Sequence, residues 1–462
     1  MAETRKEKDS LGFVEVPVRA YYGAQTARAV ENYPISGSRA HSLLIRAIAM
    51  VKYAAAEANR ELGLIDAQRA DAVLAAAREV IDGKWDAEFV VDVFQAGAGV
   101  SFHMNANEVV ANRANELIGG ALGEYARVHP NDHVNYGQST NDVFPTAMRL
   151  AALLNLETLH PALDAVAASF AAKAKEFDGV MKSGRTHMQD AVPIRLGQEF
   201  AAYGLAIKKG QRFLALAADS LRELGLGGSA VGTGINTHPD YRVKAIANLA
   251  RISGQRLIPA EDMRWAMQSN ACMGEVSAAL RGIALEIIRI SNDLRLLSSG
   301  PNTGLAEIFL PSLQPGSSIM PGKINPVMPE LAAMVSFQVI GNDTAVAYAV
   351  QAGQLELNVM MPAMAHNVLQ SITILANMLR VFDERCVQGI TANVERCNFY
   401  AQSTVALATA LNPYIGYAKA AEIVKESVAS GESIISLVRK KKLLSEADIS
   451  RILDPVRMTE PG

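Results

Sequence analysis

Residues 273–297 read MGEVSAALRGIALEIIRISNDLRLL, and Met273, Val276, Leu280, Ile283, Ile287, Ile290, Leu294 and Leu297 step by three and four without a break. That spacing lays one apolar stripe along a helix, because side chains three and four residues apart share a face. At about 1.5 Å per residue the stripe runs roughly 36 Å. Leu156, Leu159, Leu163, Val166 and Phe170 repeat the spacing, and 196–223, 330–350 and 363–382 are Ala, Leu and Met rich with no strand-like alternation. The fold class expected is mostly α, with a bundle of long helices in the middle of the chain.

Outward from the bundle the character of the chain changes. Residues 1–138 mix shorter helices with turns rich in Gly, Pro and Asn, and from about Ile390 the elements shorten. Three domains are expected: 1–138, mainly helical; 139–390, the bundle; and 391–462, small and helical. With 462 residues, 50% hydrophobic and 20% charged, the composition suits a large buried core. A formal charge of −3 leaves no excess of Lys and Arg to neutralise phosphates, which argues against nucleic acid as a partner. The basic run Arg439–Lys442 reads as the solvated end of a helix, with Ser445 and Asp448 opening the next. No run of 18 apolar residues appears, and the charged start MAETRKEKDSLGF lacks the apolar segment of a secretory leader. Three cysteines without metal-type spacing, Cys272, Cys386 and Cys397, fit a reducing cytoplasm.

The chemistry is concentrated in 316–330, GSSIMPGKINPVMPE. Gly316 and Gly322 are expected to take positive φ and turn backbone N–H groups inward, while Pro321, Pro326 and Pro329 keep the segment out of a helix. Ser317 and Ser318 are then held on a loop. Lys323 offers a point charge and Asn325 an amide to a carboxylate, and Glu330 sits where a helix would begin. A phosphate-binding loop needs four residues between its glycines and a Ser or Thr after the lysine, whereas five separate Gly316 from Gly322 and Ile324 follows Lys323.

Three further clusters carry polar groups. QSTND at 138–142 reads as a helix N-terminus able to draw an anion, or as simple capping by Ser139, Thr140 and Asn141. GRTHMQD at 184–190 sets Thr186 beside His187, which is a candidate acid, base or positioning donor as well as a structural histidine. GAGVSFHMNAN at 97–107 is a glycine-rich turn followed by Ser101, His103, Asn105 and Asn107; it lacks GxGxxG and follows no convincing strand.

Together these segments resemble the aspartase/fumarase superfamily, from VPVRAYYGAQTARAVENYPISG at 16–37 to LNPYIGYAKAAEIVKESVASG at 411–431, with GSSIMPGKINP as its signature loop. QSTND, QDAVP at 189–193, NPVMPE and AGQLELNVM at 352–360 look like the aspartase branch, while HNVLQS at 366–371 has a fumarase flavour. The resemblance implies a three-domain, mostly α-helical fold with a central long-helix bundle. It also implies a homotetramer whose active sites are each built from three subunits. The activity implied is reversible deamination of L-aspartate to fumarate and ammonia. The alternatives are loss of a different nitrogen substituent from a substituted succinate, or a class II fumarase. By the same resemblance Ser317 is the base that removes a proton beside the β-carboxylate. The resulting aci-carboxylate is held by Ser139, Thr140 and the backbone around Ser318. The other carboxylate meets Thr186, Lys323 and Asn325, the amino group meets Asn141 and His187, and Glu330 orients His187. The only partner implied besides further copies of the chain is a small dicarboxylate; no cofactor or metal, nucleic acid or membrane is implied. His129, Asn131 and Asp132 match a second anion site of fumarases.

The chain departs from most such relatives at Val100, where threonine is usual, and at His103, where asparagine is usual. Valine removes a donor from the β-carboxylate, a loss of about 1 to 3 kcal/mol unless Ser101 or water replaces it.

Overall fold

The computed structural model describes residues 3–460. The chain opens with a hairpin of β1 (Thr4–Asp9) and β2 (Gly12–Pro17). Next come α1 (Ala24–Asn32), α2 (Ser42–Glu61), α3 (Ala67–Ile81) and α4 (Val100–Leu117). The long α5 (Thr140–Glu176) leads to a second hairpin, β3 (Met181–Thr186) and β4 (Gln189–Arg195). After it follow α6 (Leu196–Asp219), α7 (Tyr241–Ser253), α8 (Met263–Gln268), α9 (Ala271–Leu297), α10 (Val327–Gln351) and α11 (Met361–Arg385). The chain ends in shorter helices: α12 (Val394–Ser403), α13 (Asn412–Ile415), α14 (Tyr417–Ser430), α15 (Ile434–Lys440) and α16 (Glu446–Ile452).

The helices fall where the stripes place them. Every apolar residue of the 273–297 stripe is buried, as is every one of the 156–170 stripe. Each such Leu, Ile or Val removed from water contributes about 1.5 to 3 kcal/mol, so it is packing rather than propensity that holds the long helices. Ser445 caps α16 by accepting from Asp448 N, and the basic run closes α15 as expected.

Two compact units make up the chain. One comprises the residues up to His160, Arg212–Gly282 and Phe337–Leu375; the other comprises Pro161–Gln211, Ile283–Ser336 and the residues from Ala376 on. In the second unit Leu407, Leu411, Ile423, Ile434, Leu437 and Ile449 form a core among the short C-terminal helices.

The first unit has a polar interior that the stripes do not announce. Helix α4 is buried nearly all round although its sequence, VSFHMNANEVVANRANEL, is rich in asparagine. Two of its amides pair with backbone at both ends: Asn105 Oδ1 accepts from Val90 N at 3.1 Å and Nδ2 donates to Glu88 O at 2.9 Å. Asn115 Oδ1 likewise accepts from Val128 N, at 3.1 Å. Glu108, also on α4, supplies the N-terminal cap that α1 lacks in its own sequence. It accepts from Gly23 N (2.9 Å), Gln25 N (2.9 Å), Thr26 N (3.1 Å) and Thr26 Oγ1 (2.6 Å). Burial pushes its carboxyl up, against those donors, which favour the ion. The N-terminal hairpin joins the same cap, since Glu7 accepts from Ala24 N at 3.1 Å.

Four donors on one buried carboxylate make Glu108 a sharp test of this interior. Glu108→Ala should lower the unfolding free energy by about 3 kcal/mol in denaturant titrations. A loss below about 1 kcal/mol would show that water replaces the carboxylate without penalty.

Candidate active site

The start of α5 is built by a reciprocal cap. Ser139 Oγ accepts from Asn141 N at 3.2 Å, and Asp142 Oδ1 accepts from Ser139 N at 2.9 Å. This is the Ser-x-x-acid arrangement that satisfies helix-end donors. The other Asp142 oxygen accepts from Gly227 N and Ser229 N, both at 3.0 Å, which draws the 227–229 turn against the helix end. Asn141 Nδ2 donates to Ala230 O at 2.8 Å, an orientation that leaves Oδ1 as an acceptor suited to an ammonium. The hydroxyls of Ser139 and Thr140 and the positive end of the helix thus share one partly exposed place, equipped to hold an anion. A cleft of about 520 Å³ lined by Asn131, Asn135, Gln138, Ser229 and Asn236 runs up to Gln138, the residue before the cap. Val100, the first residue of α4, is 42% exposed, while Ser101 is buried.

Beneath Thr140 lie two groups that the motifs did not single out as site residues. His103 Nδ1 is 2.6 Å from Thr140 Oγ1, and its Nε2 is 2.6 Å from Lys52 Nζ. Lys52 also donates to Asn135 Oδ1 (2.9 Å) and Gln138 Oε1 (2.8 Å). Lys52 and His103 are both buried. Burial pushes Lys52 well below the usual lysine range, opposed by the charge of Asp142. Burial and then the charge of Lys52 push the His103 imidazole down. The sequence does hold a signal for Lys52: Ile45, Ile48, Lys52, Ala55 and Asn59 share the spacing of one face of α2, and all are buried. A charge set on an apolar stripe needs a partner.

In the second unit Thr186 ends β3 and His187 and Met188 form the tip of the hairpin, with φ of 54° and 62°. Two consecutive positive φ values are those of a tight type I′ turn, usually Asn-Gly, which is why THMQ gives no hairpin signal. The base of the hairpin is braced by Glu307, fully buried, which pairs with Lys182 (3.0 Å) and Arg185 (2.9 Å). Lys182 pairs in addition with Glu199 at 2.9 Å. The 316–325 loop is closed by Gly316 N donating to Lys323 O (2.8 Å) and Asn325 Nδ2 to Gly316 O (2.7 Å). Ser317 Oγ accepts from Ile319 N (3.2 Å) and Met320 N (2.9 Å), so two backbone dipoles point at that oxygen. Ser318 and Lys323 are exposed.

Two details differ from the sequence reading. Gly322 has positive φ (78°), but Gly316 does not. Gly316 is required for space instead, because a Cβ there would lie 2.6 Å from Lys323 O and 2.8 Å from Asn325 N. Helix α10 starts at Val327, and Pro329 lies in its first turn, where an N–H has no helical partner to lose. Among the described residues Glu330 and His187 of one chain make neither a hydrogen bond nor an ion pair with each other. At the expected second anion site His129 Nδ1 accepts from Asn131 N (3.2 Å) and Asp132 N (3.3 Å), so its own ring occupies those donors. Among the described residues no three His, Cys, Asp or Glu side chains are grouped to hold a metal ion, and no helix is long and apolar enough to cross a membrane.

Comparison with known proteins gives a consistent picture. A family model described as Lyase matches residues 12–341, and one described as Fumarase C C-terminus matches residues 407–460. An aspartate ammonia-lyase of Bacillus sp is 48% identical over 460 residues, covering 100% of this chain and 98% of that one. A class II fumarate hydratase of Halobacterium salinarum is 51% identical over 459 residues, covering 99% of this chain and 97% of that one. The crystal structure of a fumarate lyase:delta crystallin from Brucella melitensis, bound to cobalt, superposes with a TM-score of 0.96 at 48% identity, covering 99% of this chain and 100% of that one.

Asp142 gives the cap a pH signature. Burial pushes its carboxyl up to about 6 against three N–H donors that favour the ion. The folded state therefore holds this proton more tightly than the unfolded chain does. Its contribution to stability is complete below about pH 4 and is lost as pH rises through about 6. The stability of the wild type relative to Asp142→Asn, followed by denaturant unfolding across that range, should fall by about 2 to 3 kcal/mol. A difference that stays level with pH would mean that Asp142 titrates as an ordinary carboxylate.

Proposed function

The chain belongs to the lyase family, and we propose that it catalyses the reversible deamination of L-aspartate to fumarate and ammonia. The observation that carries this reading is whole-length similarity, at 48% identity, to an aspartate ammonia-lyase. The local geometry supports it on three points: hydroxyls and a helix N-terminus at Ser139 and Thr140, an amide acceptor at Asn141, and a loop serine under two N–H dipoles.

The difficulty of the reaction is electrostatic. Removing a proton from the carbon beside a carboxylate places a second negative charge on that carboxylate. The hydroxyls of Ser139 and Thr140 and the Thr140 N–H at the start of α5 supply preorganised donors for the aci-carboxylate. Ser317 is the base. A serine oxygen is weakly basic in water, and Ile319 N–H and Met320 N–H, already aimed at Oγ, lower the cost of the alkoxide. Lys323 and Asn325 hold the other carboxylate with Thr186, Ser318 contributes its backbone, and Asn141 Oδ1 and His187 meet the amino group. Glu330 orients His187 across the assembly rather than within one chain. Val100 contributes shape and Ser101 backbone at the start of α4.

The assembly is part of the proposal: a homotetramer with sites built from three subunits. Leu205, Phe213 and Leu216 on α6 and, separately, Met334, Phe337 and Tyr348 on α10 are exposed in the single chain, apolar surface on each helix that suits burial by further copies. The three cysteines are unpaired and buried, in keeping with a cytoplasmic location. A second reading, hydration of fumarate to malate, is favoured by the 51% identity to a class II fumarate hydratase.

Incubating the purified protein with fumarate separates the two. Ammonia should be required for fumarate loss, with aspartate as product; malate formed in its absence would establish the second reading. Ser317→Ala should lower kcat on aspartate about a thousandfold while fumarate still binds. Unchanged turnover in that variant would remove Ser317 from the mechanism.

A further inference from the structure

We propose that His103 is a positioning residue: it accepts from Lys52 on one ring nitrogen, donates to Thr140 from the other, and so commits the Thr140 hydroxyl hydrogen to a ligand oxygen at the start of α5. The inference deepens the function proposed above, on which it rests for the identity of that ligand as a substrate carboxylate.

Asn135 Nδ2 donates to Gln138 O at 3.2 Å, and Gln138 Nε2 donates to Val134 O at 3.0 Å and Tyr136 O at 3.3 Å. Each amide nitrogen is engaged by a backbone carbonyl, so each amide oxygen is the end that faces Lys52. The Asp142 charge works against the effect of burial on Lys52, and as an ammonium Lys52 has three N–H donors and no acceptor. Two go to the amide oxygens, and the third goes to His103 Nε2.

A ring nitrogen that accepts carries no hydrogen, which places the hydrogen of the neutral imidazole on Nδ1. From there it donates to Thr140 Oγ1. The hydroxyl of Thr140 then has a lone pair engaged and its own hydrogen unspent, and among the described residues no other protein group is bonded to Oγ1. Its neighbours at that helix end, the Ser139 hydroxyl, which accepts from Asn141 N and keeps its own hydrogen, and the Thr140 N–H, are the donors an anion would meet. The charged and titratable groups facing the relay are Lys52 from α2 and Asp142 from α5, with Tyr241 from α7 acting on Asp142. Burial and the Lys52 charge hold the imidazole neutral, as the tautomer requires. The consequence for chemistry is specific. With Val100 unable to donate, the carboxylate on which charge develops depends the more on an oriented Thr140 hydroxyl.

The polarity of the relay can be tested by substitution. In His103→Gln the amide oxygen can accept from Lys52 and the amide nitrogen donate to Thr140; in His103→Leu neither is possible. His103→Leu should lower kcat and kcat/KM on aspartate together by about 30-fold, and His103→Gln by no more than about threefold. In a Thr140→Val background the two variants should differ by less than about twofold, because the group they act through is gone. A ratio of His103→Leu to His103→Gln that persists in that background would overturn the proposal. Because His103→Leu leaves Lys52 short of an acceptor and is liable to misfold, a second measurement uses the wild type. ¹⁵N NMR of histidine-labelled protein, with His103 assigned by its absence from His103→Gln, should show Nδ1 protonated and Nε2 bare between about pH 6 and 9. The opposite tautomer, or an imidazolium, would overturn the proposal. If the wild type fails to turn over aspartate, the functional reading falls, and the tautomer still decides this one.

Discussion

A helix as long as α5 begins with N–H groups that nothing inside it can satisfy, and the arrangement of the first unit's site answers that demand. Ser139 takes one N–H and Asp142 returns the bond to the Ser139 backbone. Asp142, now buried, needs donors of its own and finds them in the turn at Gly227 and Ser229. The result is a helix end fixed from below and from one side, where Asn141, Asp142 and Val143 N–H are engaged at Ser139 and Thr140 N–H has no protein partner among the described residues. An anion at that place completes the satisfaction of the helix rather than disturbing it.

Buried polar groups make such a design expensive to leave incomplete. An unpaired buried donor or acceptor costs about 1 to 3 kcal/mol, so a network either closes or fails. Lys52 has three acceptors for three hydrogens, and Glu307 has two cations. Each closed network supports a short exposed element: Lys52 and His103 support the start of α5, and Glu307 braces the hairpin that ends in His187. Apolar packing along α5 and α9 provides the rigid walls, and the polar networks set the direction of individual hydroxyls.

The long helices were legible because their apolar residues recur at helical spacing, as at Met273–Leu297. The hairpins were not. β1 reads TRKEKD, with no apolar alternation, and only Glu7 turns inward. The β3–β4 turn uses His187 and Met188 where Asn and Gly would have signalled it. Helix α4 escaped periodicity because its buried face is amide as much as apolar. At the 316–325 loop the residues named from sequence do lie together, but the glycine argument held for Gly322 alone; Gly316 answers a close backbone approach that only coordinates reveal.

The amino-acid sequence by itself determined the helical class, the extent of the bundle helices, the cap at Ser139 and the chemical inventory of the site, because each depends on residues within a few positions of one another. Tertiary structure alone decided which buried groups meet: Lys52 with His103, 51 residues on, and with Gln138, 86 residues on, and Asp142 with a turn beyond Gly225. Local spacing records which face of an element is covered. Which donor finds which acceptor depends on partners brought together from distant parts of the chain, and for a buried polar group that pairing sets its charge, its tautomer and the hydrogen it leaves free.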